Sequence, residues 1–132
     1  MTKSLILFIS GHQEDARELA QMVQDLPLAL HHVPTVQHAR LRLPACDYQA
    51  VLTEARLPDG NWLDVMHLVR DDPRDIPILV TDPHADARLW SLALNQGAYD
   101  LLAQPYYAPE VRRILCSACR RLADIPSPMM AI

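Results

Sequence analysis

Residues 50–60 read AVLTEARLPDG, so an apolar run, Ala50-Val51-Leu52, ends in Thr53 and the carboxylate of Glu54 and is followed by a turn at Pro58-Asp59-Gly60. A carboxylate at the mouth of a buried run is placed to act as a ligand, a nucleophile or a proton carrier. Three other apolar runs end in polar residues. Leu5–Ile9 leads into Ser10-Gly11-His12, Ile76–Val80 into Thr81-Asp82, and Tyr99–Leu102 into Gln104-Pro105. If the four runs lie side by side, His12, Glu54 and Asp82 meet at one edge. That nitrogen-and-oxygen donor set suits zinc or manganese better than magnesium.

Other candidates carry less. Cys116 and Cys119 have C-x-x-C spacing, but they fall late in an expected helix with no second ligand pair, so they read as helix residues. With Cys46 they make an odd set of three, as in a reducing compartment. His31 and His32 are neighbours on one strand and point to opposite faces. His38, His67 and His84 read as surface positions. The chain has three glycines, Gly11, Gly60 and Gly97, too few for a glycine-rich nucleotide loop.

These residues need a scaffold. Leu5–Ile9 is a short, continuously apolar strand. Glu14–Leu26 has helical spacing, with Ala16, Leu19, Ala20, Val23 and Leu26 on one face and Glu14 and Asp15 in the first turn, where acids suit the helix dipole. Leu28–Val33 is a second strand, and Thr35 caps a short helix carrying Val36, Ala39, Leu41 and Leu43. Gln49–Thr53 is the third strand, and Trp62, Val65, Met66 and Val69 mark the third helix. Ile76–Thr81 is the fourth strand. Ala85–Gln96 is a helix that Gly97 ends in a left-handed cap. Tyr99–Leu102 is the fifth strand, and Pro109 opens a last helix with Val111, Ile114, Leu115 and Ala118 on its inner face.

Five apolar strands alternating with five helices predict an α/β fold, a doubly wound five-stranded parallel sheet in a three-layer (βα)5 sandwich. Right-handed crossovers bring all strand C-termini to one edge, where such sheets hold ligands. Half of the 132 residues are hydrophobic, as suits one domain, expected over 1–122, with 123–132 as a tail or linker. The net charge of −4, without a basic stripe, argues against direct nucleic-acid binding. No stretch reads as a membrane span or signal core, so a cytoplasmic protein is expected.

The pattern resembles the receiver domain of two-component response regulators, the CheY-like family. Leu52-Thr-Glu-Ala-Arg-Leu-Pro-Asp-Gly60, Ile76-Pro-Ile-Leu-Val80, Gly97-Ala-Tyr-Asp-Leu-Leu-Ala-Gln-Pro105 and Glu14-Asp-Ala-Arg-Glu-Leu19 carry the resemblance. It implies strand order 2-1-3-4-5 and places the family's reactive positions on this chain. Glu54 stands at the phosphoacceptor aspartate. Gly11 and His12 stand at the acidic pair that holds magnesium. Asp82 stands at the switch hydroxyl (Thr81 if the register slips by one) and Leu101 at the switch aromatic. Gln104 stands at the lysine. Every reactive position is altered while the scaffold pattern persists.

The changes are chemically consistent with one another. Gly11 supplies no ligand and His12 is a poor magnesium ligand. A phosphoryl group would then meet Glu54 and Asp82 without a counter-charge, and Gln104 supplies none. The expectation is a non-phosphorylatable pseudo-receiver without a cofactor, non-enzymatic, acting through protein contacts. The alternatives are phosphorylation at Glu54, mimicry of it by Glu54, or a divalent-metal sensor built from His12, Glu54 and Asp82. The contact face expected is the fourth helix, fifth strand and fifth helix, with Leu89, Trp90, Leu92, Tyr106, Arg112 and Arg113. A signalling partner or fused output domain and a homodimer follow from that reading.

Overall fold

A computed structural model describes residues 3–84 and 86–123, the last four of these by backbone alone. The remaining expected tail residues, 124–132, lie outside the described residues. Strands β1 (Ser4–Ile9), β2 (Leu28–Val33), β3 (Tyr48–Glu54), β6 (Ile78–Asp82) and β7 (Asp100–Ala103) form one parallel sheet in the order β2-β1-β3-β6-β7. Counting only these five, the order is 2-1-3-4-5, as expected. Helices α1 (Gln13–Met22), α2 (Val36–Arg42), α3 (Trp62–Arg70), α4 (Ala87–Asn95) and α5 (Ala108–Ala123) flank it.

The apolar strands fill two cores. Successive residues of β1 point to opposite faces. Ile6 and Phe8 pack with Leu19 of α1 and with Val111, Ile114, Leu115 and Ala118 of α5. Leu7 and Ile9 pack with Val36 and Ala39 of α2, Val65, Met66 and Val69 of α3, and Ala93 of α4. A strand covered on both faces has no polar side to alternate with, which is why these runs read as continuous.

Several boundaries move for identifiable reasons. Helix α1 stops at Met22, with Val23 as its cap, and Leu26 still packs on the core from the turn that follows. Strand β6 begins at Ile78, after Pro77, which has no N–H for a ladder and serves only as acceptor for the Val51 amide at 3.0 Å. The same strand runs on to Asp82. Helix α4 starts at Ala87, capped by the Asp86 side chain on the Leu89 amide. It ends as expected at Gly97, φ 102°, where the Ala98 amide reaches Ala93 and the Gly97 amide reaches Leu94. This is the two-bond left-handed termination that favours glycine. Strand β7 is displaced by one residue, to Asp100–Ala103. The Gln104–Pro105 peptide is cis.

One element was not expected. β4 (Arg56–Leu57) and β5 (Gly60–Asn61) pair as a small antiparallel hairpin around Pro58 and Asp59. It sets the entry to α3, where Asn61 accepts from the Leu63 and Asp64 amides while the Asp64 carboxylate accepts from the Asn61 amide. The Asp59 carboxylate accepts from the Val36 and Gln37 amides and so ties the hairpin to the start of α2.

Candidate functional site

The parallel sheet delivers Ser10, Glu54, Asp82 and Gln104 to one edge. Glu54 is the last residue of β3, paired with Thr81 of β6, and is 4% exposed. His12 is the N-cap residue of α1 and makes no side-chain capping bond there. Its imidazole turns to the sheet, with Nδ1 3.0 Å from Glu54 Oε1 and 4.0 Å from Asp15 Oδ2. The loop is fixed from behind, since the His12 amide donates to Ser10 Oγ at 2.9 Å and His32 Nε2 donates to the Ser10 carbonyl at 2.7 Å.

The second Glu54 oxygen, Oε2, is buried and has no hydrogen-bond partner among the described residues. An orphaned carboxylate oxygen in a buried place is costly. Burial accordingly lifts the Glu54 carboxyl above its ordinary value, the neighbouring Asp15 adds to the rise, and His12 and Ser10 oppose it. Glu54 in turn lifts the His12 imidazole, with smaller additions from Asp15 and Glu14. Each group thus holds a proton more readily than it would alone.

His12, Asp15 and Glu54 each offer one ligand atom, and these atoms lie within 4.8 Å of one another. Among the described residues Asp15, not the expected Asp82, is the third member. The Asp82 carboxylate curls back to accept from the His84 amide at 2.9 Å. It still lines the same cleft of about 190 Å³, with His12, Glu54, Arg56, Pro83 and His84. The signal for Asp15 was the His-x-x-Asp spacing across the first turn of α1, which brings two side chains to one face. First-turn acids are common as dipole partners, and that reading hid it.

The other altered positions are engaged elsewhere. A Cβ on Gly11 would stand 3.2 Å from Pro58 Cγ, so a side chain there would press on the hairpin and need it to give by a few tenths of an ångström. Gln104 Nε2 donates to Thr81 Oγ1 at 3.1 Å, and Thr81 Oγ1 donates to the Leu102 carbonyl at 2.7 Å. Gln104 thus ties β7 to β6. Leu101 is buried in the core on the α3 and α4 side. These residues do not suit magnesium, since Gly11 has no donor and His12 offers nitrogen.

The expected contact face needs correction. Tyr106 is buried in the core against α1 and α5, and its hydroxyl has no partner. Arg112 reaches Asp25 at 2.6 Å and the Met22 carbonyl at 3.1 Å, joining α5 to the end of α1. Leu89 is half-buried against the core. Trp90, Leu92, Leu94, Tyr107 and Arg113 are exposed.

No family model matches the chain. Among curated proteins it is 27% identical over 113 residues to the response regulator protein PilR of Pseudomonas aeruginosa, covering 85% of this chain and 25% of PilR. It is 31% identical over 75 residues to the luminescence regulatory protein LuxO of Vibrio campbellii, covering 57% of this chain and 17% of LuxO. The chain thus spans a quarter or less of these two relatives. Among solved structures it superposes on the signal receiver domain of an HD domain-containing protein from Pseudomonas fluorescens Pf-5 with TM-score 0.83, at 19% identity over 98% of this chain and 96% of that one. The receiver domain of the sensor histidine kinase PA1611 from Pseudomonas aeruginosa PAO1, with a magnesium ion in its active-site cleft, gives 0.79 at 22% identity, covering 90% and 99%. The beryllofluoride-activated NtrC4 receiver domain dimer gives 0.81 at 14%, covering 89% and 97%. The fold is that of a signal receiver domain. Within that fold the edge of the sheet holds a histidine and two carboxylates.

Proposed function

We propose that the chain is a non-enzymatic signalling module of the receiver type whose sheet-edge site answers to a divalent transition metal instead of a phosphoryl group. The observation that carries this is Glu54, buried with one oxygen on His12 and the other without a partner, next to Asp15. A cation would take up the orphaned oxygen and displace the proton between His12 and Glu54. It would also bind the start of α1 to the end of β3. Imidazole with two carboxylates suits zinc or manganese.

Phosphotransfer fits these residues poorly. Glu54 carries its carboxylate one methylene further than aspartate, Gln104 brings no charge, and Pro58 stands over Gly11. PilR and LuxO are named as regulators, and NtrC4 forms a dimer when activated by beryllofluoride. By that analogy the output is a protein contact, with a partner or a fused output domain or as a homodimer, in the cytoplasm and without direct nucleic-acid binding. Trp90, Leu92, Leu94, Tyr107 and Arg113 form the exposed part of the face that would carry it.

The test is calorimetric titration of the metal-free chain with zinc, manganese and magnesium. Zinc or manganese is expected to bind with magnesium far weaker, and His12→Ala and Glu54→Gln each to lower affinity by about tenfold or more. Absence of binding, or unchanged binding in both variants, would sink the metal reading. A mass gain of one phosphoryl group from acetyl phosphate and magnesium would sink the phosphate-independent one.

A further inference from the structure

A second cleft, of about 350 Å³, lies between the C-terminal end of β2 and helix α2, lined by His32, Val33, Pro34, His38, Leu41 and Arg42. That lining holds no acid and one fixed cation, Arg42, on a chain of net charge −4 with its histidines neutral. His32 is oriented by the bond its Nε2 donates to the Ser10 carbonyl, and His38 Nδ1 meets Thr35 Oγ1 at 2.5 Å, which leaves Nε2 available. Arg42 has no hydrogen-bond or ion-pair partner among the described residues. The carboxylate that acts on His38 from the hairpin, Asp59, is already engaged by the Val36 and Gln37 amides at 2.8 and 3.0 Å.

The apolar part of the cleft is as distinct. Leu41 is 68% exposed, more than any other large hydrophobic side chain described. It sits one helical face away from Val36 and Ala39, which are buried, so it does nothing for the core. Strand β2 is at the edge of the sheet, and its outer backbone groups have no strand partner among the described residues. An extended chain can use such an edge while its side chains enter flanking pockets. The larger cleft beside α4, about 460 Å³, offers Arg56 and Arg88 but also Asp82 and Asp86, so it presents no single sign of charge.

We propose that the β2–α2 cleft docks an extended acidic peptide segment of a partner protein, with carboxylates on Arg42 and His38 and one apolar side chain on Leu41. The proposal is independent of the metal reading, since none of these side chains belongs to the His12 site.

The experiment is fluorescence polarisation of the full chain with a labelled peptide that alternates Asp and Glu with Leu and Phe, in chelator and again with zinc. Binding is expected in both, weakening as salt rises. It should fall about tenfold in Arg42→Glu and in Leu41→Asp, with partial retention in Arg42→Lys. Both side chains changed, Leu41 and Arg42, are exposed, and thermal melts confirm that the variants fold. Equal binding of the peptide with Asn and Gln in place of its acids would overturn the proposal. So would insensitivity to both disruptive variants, or no binding at about 1 mM peptide. Full competition by inorganic phosphate would reassign the cleft to small anions. Vesicles of anionic lipid binding more tightly than the peptide would reassign it to a membrane surface. Either reassignment overturns the peptide.

Discussion

Glu54 is the residue on which the altered site turns. Its folded-state value is raised by burial, so the native state holds a proton more readily than the unfolded chain does. A raised value stabilises the fold at low pH, and the contribution is lost as pH climbs from the ordinary value of 4.5 through the folded one. His12, also raised, contributes stability that is full below its ordinary 6.5 and is lost as pH climbs through its own folded value. The two act in the same direction. Metal-free protein is therefore expected to lose stability as pH climbs from 4.5 through the raised folded values of both groups. Glu54→Gln should flatten that profile and raise neutral-pH stability by about 1 kcal/mol, because a neutral amide replaces a buried half-paired charge. His12 is 69% exposed, so losing its partner costs little. Urea unfolding at several pH values in chelator measures both effects, and a steeper profile in the variant would refute the assignment.

The elements show what a sequence reveals and what it hides. The five strands and five helices were legible because each strand is apolar on both faces and each helix has one apolar stripe. Gly97 was legible because a left-handed cap is what a glycine at that place is for. The β4–β5 hairpin was not, since strands of two residues have no period to read. Asn61 went unnoticed for a related reason, because its capping role depends on the hairpin aligning it with Asp64. Asp15 and Tyr106 misled in opposite ways. Asp15 has an ordinary explanation as a first-turn acid, and only the turned imidazole of His12 shows the second one. Tyr106 follows a turn, where aromatic residues are often exposed, yet the core against α1 and α5 draws it inside. The cap gives the measurable consequence. Asn61→Ala removes two amide partners at the start of α3 and is expected to lower stability by about 1 kcal/mol. Thermal melts at a pH where Glu54 does not titrate would show it. No change in Tm would mean that the hairpin, not the cap, fixes the helix start.

At the scale of the whole molecule, the proposed function requires the scaffold and the chemistry to have parted. The sheet still gathers the ends of β1, β3, β6 and β7, and the residues after three of them are engaged by neighbours. Pro58 of the hairpin packs close beside Gly11, Thr81 accepts from Gln104, and the His84 amide donates to Asp82. The consequence is that no single reversion restores the family's reaction. Glu54→Asp shortens the carboxylate to the length the reaction uses, but it leaves magnesium without an acidic pair and the incoming charge without a lysine. The variant is expected to show no phosphoryl adduct by intact-mass measurement after incubation with acetyl phosphate and magnesium. Adding Gln104→Lys supplies a charge but frees Thr81, and adding Gly11→Asp presses on Pro58. Only the combination that also replaces His12 by an acid assembles metal, acceptor and counter-charge together. If Glu54→Asp alone gained the mass of a phosphoryl group, the missing cation site would not be what silences this cleft, and the reason for its altered residues would have to be sought in the partner it contacts.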